Sequence, residues 1–390
     1  MLRRKDKVSL TKSKNLLDIQ KDIKDAVYKD LLLEADPSDA RVRELILWHI
    51  NAWDDESSLS IHAIELLEAN IFNQLRRLGV LQPLMDDDAV TEIMVNGTDK
   101  IFYEKAGILY KSNLNFETKE DLNNMLLAFY SKHNVNLSIS QPMASLKLED
   151  GSRAHAVLDN IAPHGPIFTI RKFTGIKPQI ADLISSDFIS AEHASYLESA
   201  ILDKRGIIIG GGTGTGKTTL LNALSAYIPS AERIVSIEDS PELQLQNKEN
   251  WVSLISKEDI NNPDNNVDMK LLIKNALRMR PDRIIIGEVR GDEAYDMLQS
   301  TQTGHPGTLC TIHANDSEGM IYRLADLCLD ASKLSYELIL RHIINSFNVL
   351  MHIKRAADGT RYINEIVEVE QSDSAPFKFN YIYRSSYGQK

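Results

Sequence analysis

The stretch "GIIIGGGTGTGKTTLLNAL", residues 206–224, decides how the second half of the chain is read. Ile207–Ile209 make a short apolar run that suits a strand buried on both faces, and it ends abruptly in glycine. Gly211, Gly216, Lys217 and Thr218 then fill the template G-x-x-x-x-G-K-[ST], and an Ala/Leu-rich segment suited to a helix follows. Strand, glycine loop and helix in this order make a phosphate cradle. The glycines let backbone N–H groups converge on phosphate oxygens at a helix N-terminus. Lys217 supplies a mobile cation for the β- and γ-phosphates, and the Thr218 hydroxyl is placed to ligate Mg²⁺.

Two further strand-like runs end in acid. "RIVSIEDSPELQL", 233–245, delivers Glu238 and Asp239, and "PDRIIIGEVRG", 281–291, delivers Glu288 with Arg290 beyond it. In open α/β sheets ligands collect outside the carboxyl ends of strands, so these acids are candidates for handling water, a proton or the metal. "TGHPGTLCTIHAN", 303–315, brackets an apolar run with His305 and His313. With Cys310 these invite a zinc site, but no fourth ligand stands at a suitable spacing. The better reading is that a strand over 308–312 carries His313 to the phosphate side, as a donor to the γ-phosphate.

The rest of the chain sets the context. Its 390 residues, 43% hydrophobic and 25% charged, suit a globular protein of two or three domains. A net charge of −11 argues against a general nucleic-acid binder. The first fourteen residues hold six Lys/Arg and one Asp, which reads as a solvated, disordered tail rather than a secretory signal. No run of eighteen apolar residues is available to span a membrane. Cys310 and Cys328 make no disulfide framework, which fits a reducing cytoplasm.

Pattern and punctuation divide the chain further. After the basic tail, 1–14, apolar spacings of three and four predict a helical bundle over 15–79, its third helix ending at Gly79. Residues 80–172 alternate short strands with one helix capped by Thr118, an α+β domain that carries Arg153 and Arg171 on strands. Residues 173–187 read as a linker, and 188–390 alternate strands and helices as in a mostly parallel sheet. Asp358-Gly359 marks a hairpin near the end.

"GGTGTGKTTLLNAL", "RIVSIEDSPELQLQ" and "NALRMRPDRIIIGEVRGDEAYDMLQSTQTGHPGTLCTIHAN", in that order, resemble the traffic ATPases of type II and type IV secretion systems and pili. "DAVTEIMVNGTDKIFYEKAG", "LEDGSR" and "IFTIRKF" extend the likeness to the CpaF-type ATPases of tight-adherence (Flp/Tad) pilus assembly, over about residues 15–370. The resemblance implies an α/β, RecA-like P-loop motor domain behind a PAS-like α+β N-terminal domain and a helical bundle, assembled as a hexamer. It implies a cytoplasmic enzyme at the inner face of the cell membrane that uses ATP and Mg²⁺ and drives a polytopic platform protein. It carries the nucleotide cradle to Gly211, Gly212, Thr213, Gly214, Thr215, Gly216, Lys217, Thr218 and Thr219. The water-orienting acid falls on Glu238, the metal-side acid on Glu288 acting through water, and the paired histidines on His305 and His313. By the same likeness, Arg153 and Arg171 reach the phosphates when the domains close.

Departures limit the transfer. Lys147 stands where the subfamily commonly has Arg, and "SKEDINNPDNN", 256–266, offers Lys257 at best where an Arg is usual. Lysine lacks the planar two-pronged fork of guanidinium, so no arginine role passes to those places. Arg278, Arg280 and Arg290 match the family and suit an interface between subunits equally well. Two other readings stay open: a conjugative or type IV traffic ATPase, and a nucleotide-gated scaffold that scarcely hydrolyses. A GTPase is disfavoured because "NKEN", 247–250, lacks the terminal Asp of the guanine-reading pattern.

Overall fold

The computed structural model describes residues 16–34, 37–53, 59–105, 107–173, 178–257, 263–356, 358–372 and 374–386. The basic tail 1–14, residues 174–177 of the linker stretch, and 258–262 of the segment beginning near Lys257 lie outside the described residues. The chain divides into two compact units, Met1–Phe173 and Thr174–Lys390.

In the first unit, α1 (Leu16–Leu31), α2 (Asp39–Trp53) and α3 (Ile61–Arg76) turn one apolar face each inward, around Ile23, Val27, Ile46, Ile50, Leu67 and Ile71. The Ser60 side chain caps α3 by accepting from the Ala63 N–H. The third helix stops at Arg76 rather than at Gly79. Gly79, with φ +56°, opens a separate 3-10 turn, Gly79–Leu81, that leads into α4 (Gln82–Asp86).

Beyond it run β1 (Val90–Asn96), β2 (Ile101–Lys105), β3 (Ile108–Lys111), α5 (Lys119–Lys132), β4 (Met143–Lys147), β5 (Arg153–Val157) and β6 (Ile167–Arg171). The six strands form one antiparallel sheet in the order β3-β2-β1-β6-β5-β4. Thr118 caps α5 through the Asp121 N–H at 3.0 Å, and Leu122, Leu126 and Tyr130 pack against Ile93, Val95, Phe168 and Ile170. Ala154 and Ala156 of β5 are buried while Arg153 and His155 are not, the two-residue period of a half-covered strand.

The second unit starts with α6 (Ile180–Ser185) and α7 (Ala191–Leu202). Part of the stretch read as linker is therefore helical, and Leu183 of α6 joins the core of this unit. The chain continues through β7 (Ile207–Gly211), α8 (Lys217–Ser225), β8 (Ile234–Glu238), β9 (Trp251–Ile255), α9 (Met269–Ala276), β10 (Arg283–Val289) and α10 (Glu293–Gln302). It ends with β11 (Leu309–Ile312), α11 (Ser317–Ala331), α12 (Tyr336–Ser346), β12 (Val349–Arg355), β13 (Arg361–Glu370) and β14 (Lys378–Arg384).

These strands make an eight-stranded sheet in the order β14-β13-β12-β7-β11-β10-β8-β9. From β12 to β9 the neighbours are parallel, and β13 and β14 add antiparallel at the edge. Side chains alternate between two cores. Ile208, Ile284, Ile286 and Cys310 face α9, α10, α11 and α12, while Ile207, Ile209, Ile285 and Leu309 face α7 and α8. Coverage on both faces explains why β7 and β10 read as unbroken apolar runs. The parallel strands also bring the carboxyl ends of β7, β8, β10 and β11 to one edge of the sheet.

Candidate active site

At that edge β7 runs into the glycine loop and α8 leaves it. Gly216 caps α8 with φ +98°, a left-handed conformation that only glycine adopts without strain. The Lys217 side chain folds back over the loop, only 7% exposed, and its Nζ donates to the carbonyls of Gly211 (3.1 Å) and Gly212 (2.9 Å). Those carbonyls hold the ammonium over the loop. Thr218 and Thr219 follow in the first turn of α8, where their N–H groups have no intrahelical acceptor.

Glu238 ends β8 and is buried, at 2% exposure. Its Oε1 accepts from the backbone N–H groups of Glu242 and Leu243, both at 3.0 Å. Its side chain lies against Gly287 of β10, so the glycine before Glu288 makes room for the acid of the neighbouring strand. Asp239, the next residue, takes a different course: its carboxylate meets the Ser256 hydroxyl at 3.1 Å and the Arg290 guanidinium at 3.4 Å. The adjacent acids are thus separated in environment, as alternation along an extended chain requires.

Glu288 stands between three cations or donors. Arg290 holds one carboxylate oxygen, and the His313 Nε2 meets the other at 2.5 Å. Burial alone would raise the Glu288 pKa, but Arg290, His313 and Lys217 outweigh it and hold the carboxyl below its ordinary 4.5. His313, just past β11, reaches Lys217 Nζ through Nδ1 at 3.4 Å. Burial first, and then the Lys217 charge, pull the imidazole below its ordinary 6.5, despite the opposite pull of Glu288. One ring nitrogen faces the Glu288 carboxylate and the other the Lys217 ammonium, so the imidazole sits between opposite charges.

The structure therefore gathers the loop 211–219, Glu238, Glu288 and His313 at one sheet edge, and Arg290 joins them. His305 is not in this group. It precedes β11 while His313 follows it, and a four-residue strand alone separates its ends by roughly 10 Å or more. Cys310 lies in the helix-covered core between them, where burial pushes its thiol up, away from thiolate. The zinc grouping is thereby dissolved, and among the described residues no cluster of three His, Cys, Asp or Glu can hold a metal. Magnesium held by one hydroxyl, waters and substrate phosphates needs no such cluster. The Thr218 hydroxyl and the ionised Glu288 fit that requirement. Arg278 and Arg280 are exposed beside the 3-10 turn Leu277–Met279.

Arg153 and Arg171 belong to the first unit, directly opposite each other on β5 and β6. Lys147 on β4 faces Arg153, and Glu92 on β1 faces Arg171, so three cations and an acid make one row across the sheet. Pattern reading along the sequence did not find Arg361, whose Nε donates to the Gly214 carbonyl at 2.9 Å across 147 positions of chain. It also missed His352 and Glu365. His352 lies 3.3 Å from the Ala314 carbonyl, and Glu365 accepts from the Ser317 N–H at 2.9 Å. His352 and Glu365 stand opposite each other and buried on the final hairpin, a pairing that the order of residues alone does not reveal.

A family model described as "Type II/IV secretion system protein" matches residues 74–368. An uncharacterized protein of Methanocaldococcus jannaschii is 35% identical over 312 residues, 78% of this chain but 42% of that protein, so the chain matches less than half of that relative's length. The conjugal transfer protein TrbB of Rhizobium radiobacter is 34% identical over 293 residues, covering 73% of this chain and 85% of TrbB. Among solved structures, the ATPase DotB of Legionella pneumophila shares the fold with a TM-score of 0.53 at 19% identity, over 83% of this chain and 85% of DotB. No described helix is long and apolar enough to cross a membrane. The chain belongs to the family of type II/IV secretion system proteins.

Proposed function

We propose that the chain is an ATP-hydrolysing motor that uses Mg²⁺. The observation that carries this reading is the convergence of Lys217, His313, Glu288 and Glu238 on the edge where the glycine loop opens. In the ground state Lys217 is held by loop carbonyls, and on binding it turns to the β- and γ-phosphates. The Thr218 hydroxyl directly, and Glu288 through water, would hold Mg²⁺, which would supply charge neutralisation at the phosphates. Glu238 orients the attacking water and takes its proton, the water oxygen bonds to the γ-phosphorus, and the bond to the bridging oxygen breaks. ADP and phosphate result. His313 donates to the γ-phosphoryl once that group draws the ring away from Glu288.

The wider reading is a RecA-like motor with a PAS-like N-terminal domain, acting as a hexamer at the cytoplasmic face of the cell membrane. There it drives a polytopic platform protein of a Tad-type pilus. Arg153 and Arg171 serve as phosphate-sensing residues of the N-terminal domain, which supports coupling of γ-phosphate loss to a domain rotation. The TrbB relative favours a second reading, a conjugative or type IV secretion ATPase.

Phosphate release from ATP by purified protein tests the activity. Turnover is expected in the wild type and its loss in Lys217→Ala, and wild-type protein without turnover would leave the scaffold reading. A size measurement with and without ATP checks the hexamer. Deleting the gene separates the two biological readings: loss of surface filaments with unchanged DNA transfer supports the pilus role, and the reverse supports conjugation.

A further inference from the structure

The strands β12 and β13 close through a turn in which the Ala356 N–H donates to the Thr360 carbonyl at 2.8 Å. Arg355 and Arg361 face each other at its mouth, directly opposite in register. Both reach the glycine loop. Arg361 donates to the Gly214 carbonyl, and its Cδ lies 3.7 Å from where a Cβ on Gly216 would stand. One Arg355 Nη nitrogen lies 3.9 Å from the corresponding point at Gly214.

The strand order says which end of a nucleotide meets them. β12 borders β7 on one side, and β11, β10 and β8 lie on the other. His313, Glu288 and Glu238 all come from that other side. A nucleotide with its γ-phosphate there, and its β-phosphate in the loop, directs its nucleoside toward the hairpin. The loop amides and Lys217 already serve the phosphates. What remains for the hairpin is the sugar and base, and a planar guanidinium stacks on an aromatic face.

We propose that Arg355 is a nucleoside-binding residue that stacks on the base, while Arg361 is a positioning residue that holds the glycine loop through Gly214. The proposal rests on the reading of this loop as an ATP site. Calorimetric titration with a non-hydrolysable ATP analogue and with inorganic tripolyphosphate, which has the phosphates but no nucleoside, separates the possibilities.

Arg355→Gln is expected to weaken the analogue about tenfold and to leave tripolyphosphate within about twofold. Arg361→Gln is expected to weaken both ligands by similar factors. Arg355→Lys keeps the charge without the plane and should lose as much as the glutamine variant, which also guards against a folding defect in the latter. Equal weakening of both ligands in Arg355→Gln, no weakening at all, or full rescue by lysine would overturn the proposal. Wild-type protein that binds neither ligand would instead remove the ATP-site reading itself.

Discussion

Glu238 occupies the hollow left by Gly287: a Cβ on that glycine would stand 2.8 Å from Glu238 Cγ. The backbone there has little room to give way, because the buried Thr311 hydroxyl donates to the Gly287 carbonyl at 2.6 Å. Gly287→Ala should therefore displace the Glu238 carboxylate from the position proposed for it. Overpacking of this kind costs about 1–3 kcal/mol of stability, and misplacing a reacting group by about 1 Å costs up to about 100-fold in rate. We expect kcat to fall by about that factor with nucleotide affinity retained. Steady-state kinetics beside a binding titration decide it, and an unchanged kcat would argue against the placement of Glu238.

Arg290→Gln tests the setting of Glu288. The folded carboxyl lies below 4.5, so its charged form contributes stability above the unfolded pKa, and this is lost as pH falls through the folded value. Removing Arg290 leaves burial less opposed and raises the folded pKa. The acid-side decline of Mg²⁺-dependent turnover should then begin at a higher pH than in the wild type. A pH–rate profile that does not move would separate Arg290 from Glu288.

The imidazole of His313 makes a sharper titration. Its folded pKa lies below 6.5, so the neutral form contributes stability above the unfolded value, lost as pH falls through the folded one. In an NMR titration of the ring protons, the midpoint should lie below 6.5 and rise in Lys217→Met, where a depressing charge is gone. A wild-type midpoint at or above 6.5 would mean that burial and the Lys217 charge do not outweigh Glu288 at this ring.

Legibility of the sequence followed the range of the contacts. The loop 211–219 is a local object, with spacing, chirality and helix start all within a dozen residues, and a strand that ends in acid is almost as local. Helix α5 announced itself through Thr118 and its apolar period. Strands β9 and β14 did not, since both lie at sheet edges with incomplete burial and a diluted pattern. The Glu238–Gly287 contact and the Arg361–Gly214 bond arise only when distant strands pair. His305 and His313 look alike in sequence, yet an intervening strand sends them to opposite ends of the sheet.

Away from the site, Arg283 is fully buried on β10. It pairs with Glu232 at 2.5 Å and donates to the Ile201 carbonyl. Arg283→Met leaves Glu232 with Lys204, at 3.4 Å, as its ion partner and takes one donor from the buried Ile201 carbonyl, so the cost should approach the roughly 3–5 kcal/mol of a broken buried pair. Chemical denaturation should show a loss of that size, and a loss below about 1 kcal/mol would mean that Glu232 finds compensation elsewhere.

Glu238→Gln bears most directly on the proposed chemistry. The amide keeps the shape and one carbonyl oxygen for the Glu242 and Leu243 N–H groups, but it cannot take a proton from water. Single-turnover hydrolysis, measured with ATP already bound, isolates the chemical step. The expected result is ATP affinity close to wild type with hydrolysis slowed by about 100- to 10,000-fold. Hydrolysis at the wild-type rate by bound ATP would contradict the assignment of Glu238 as the acid that handles water.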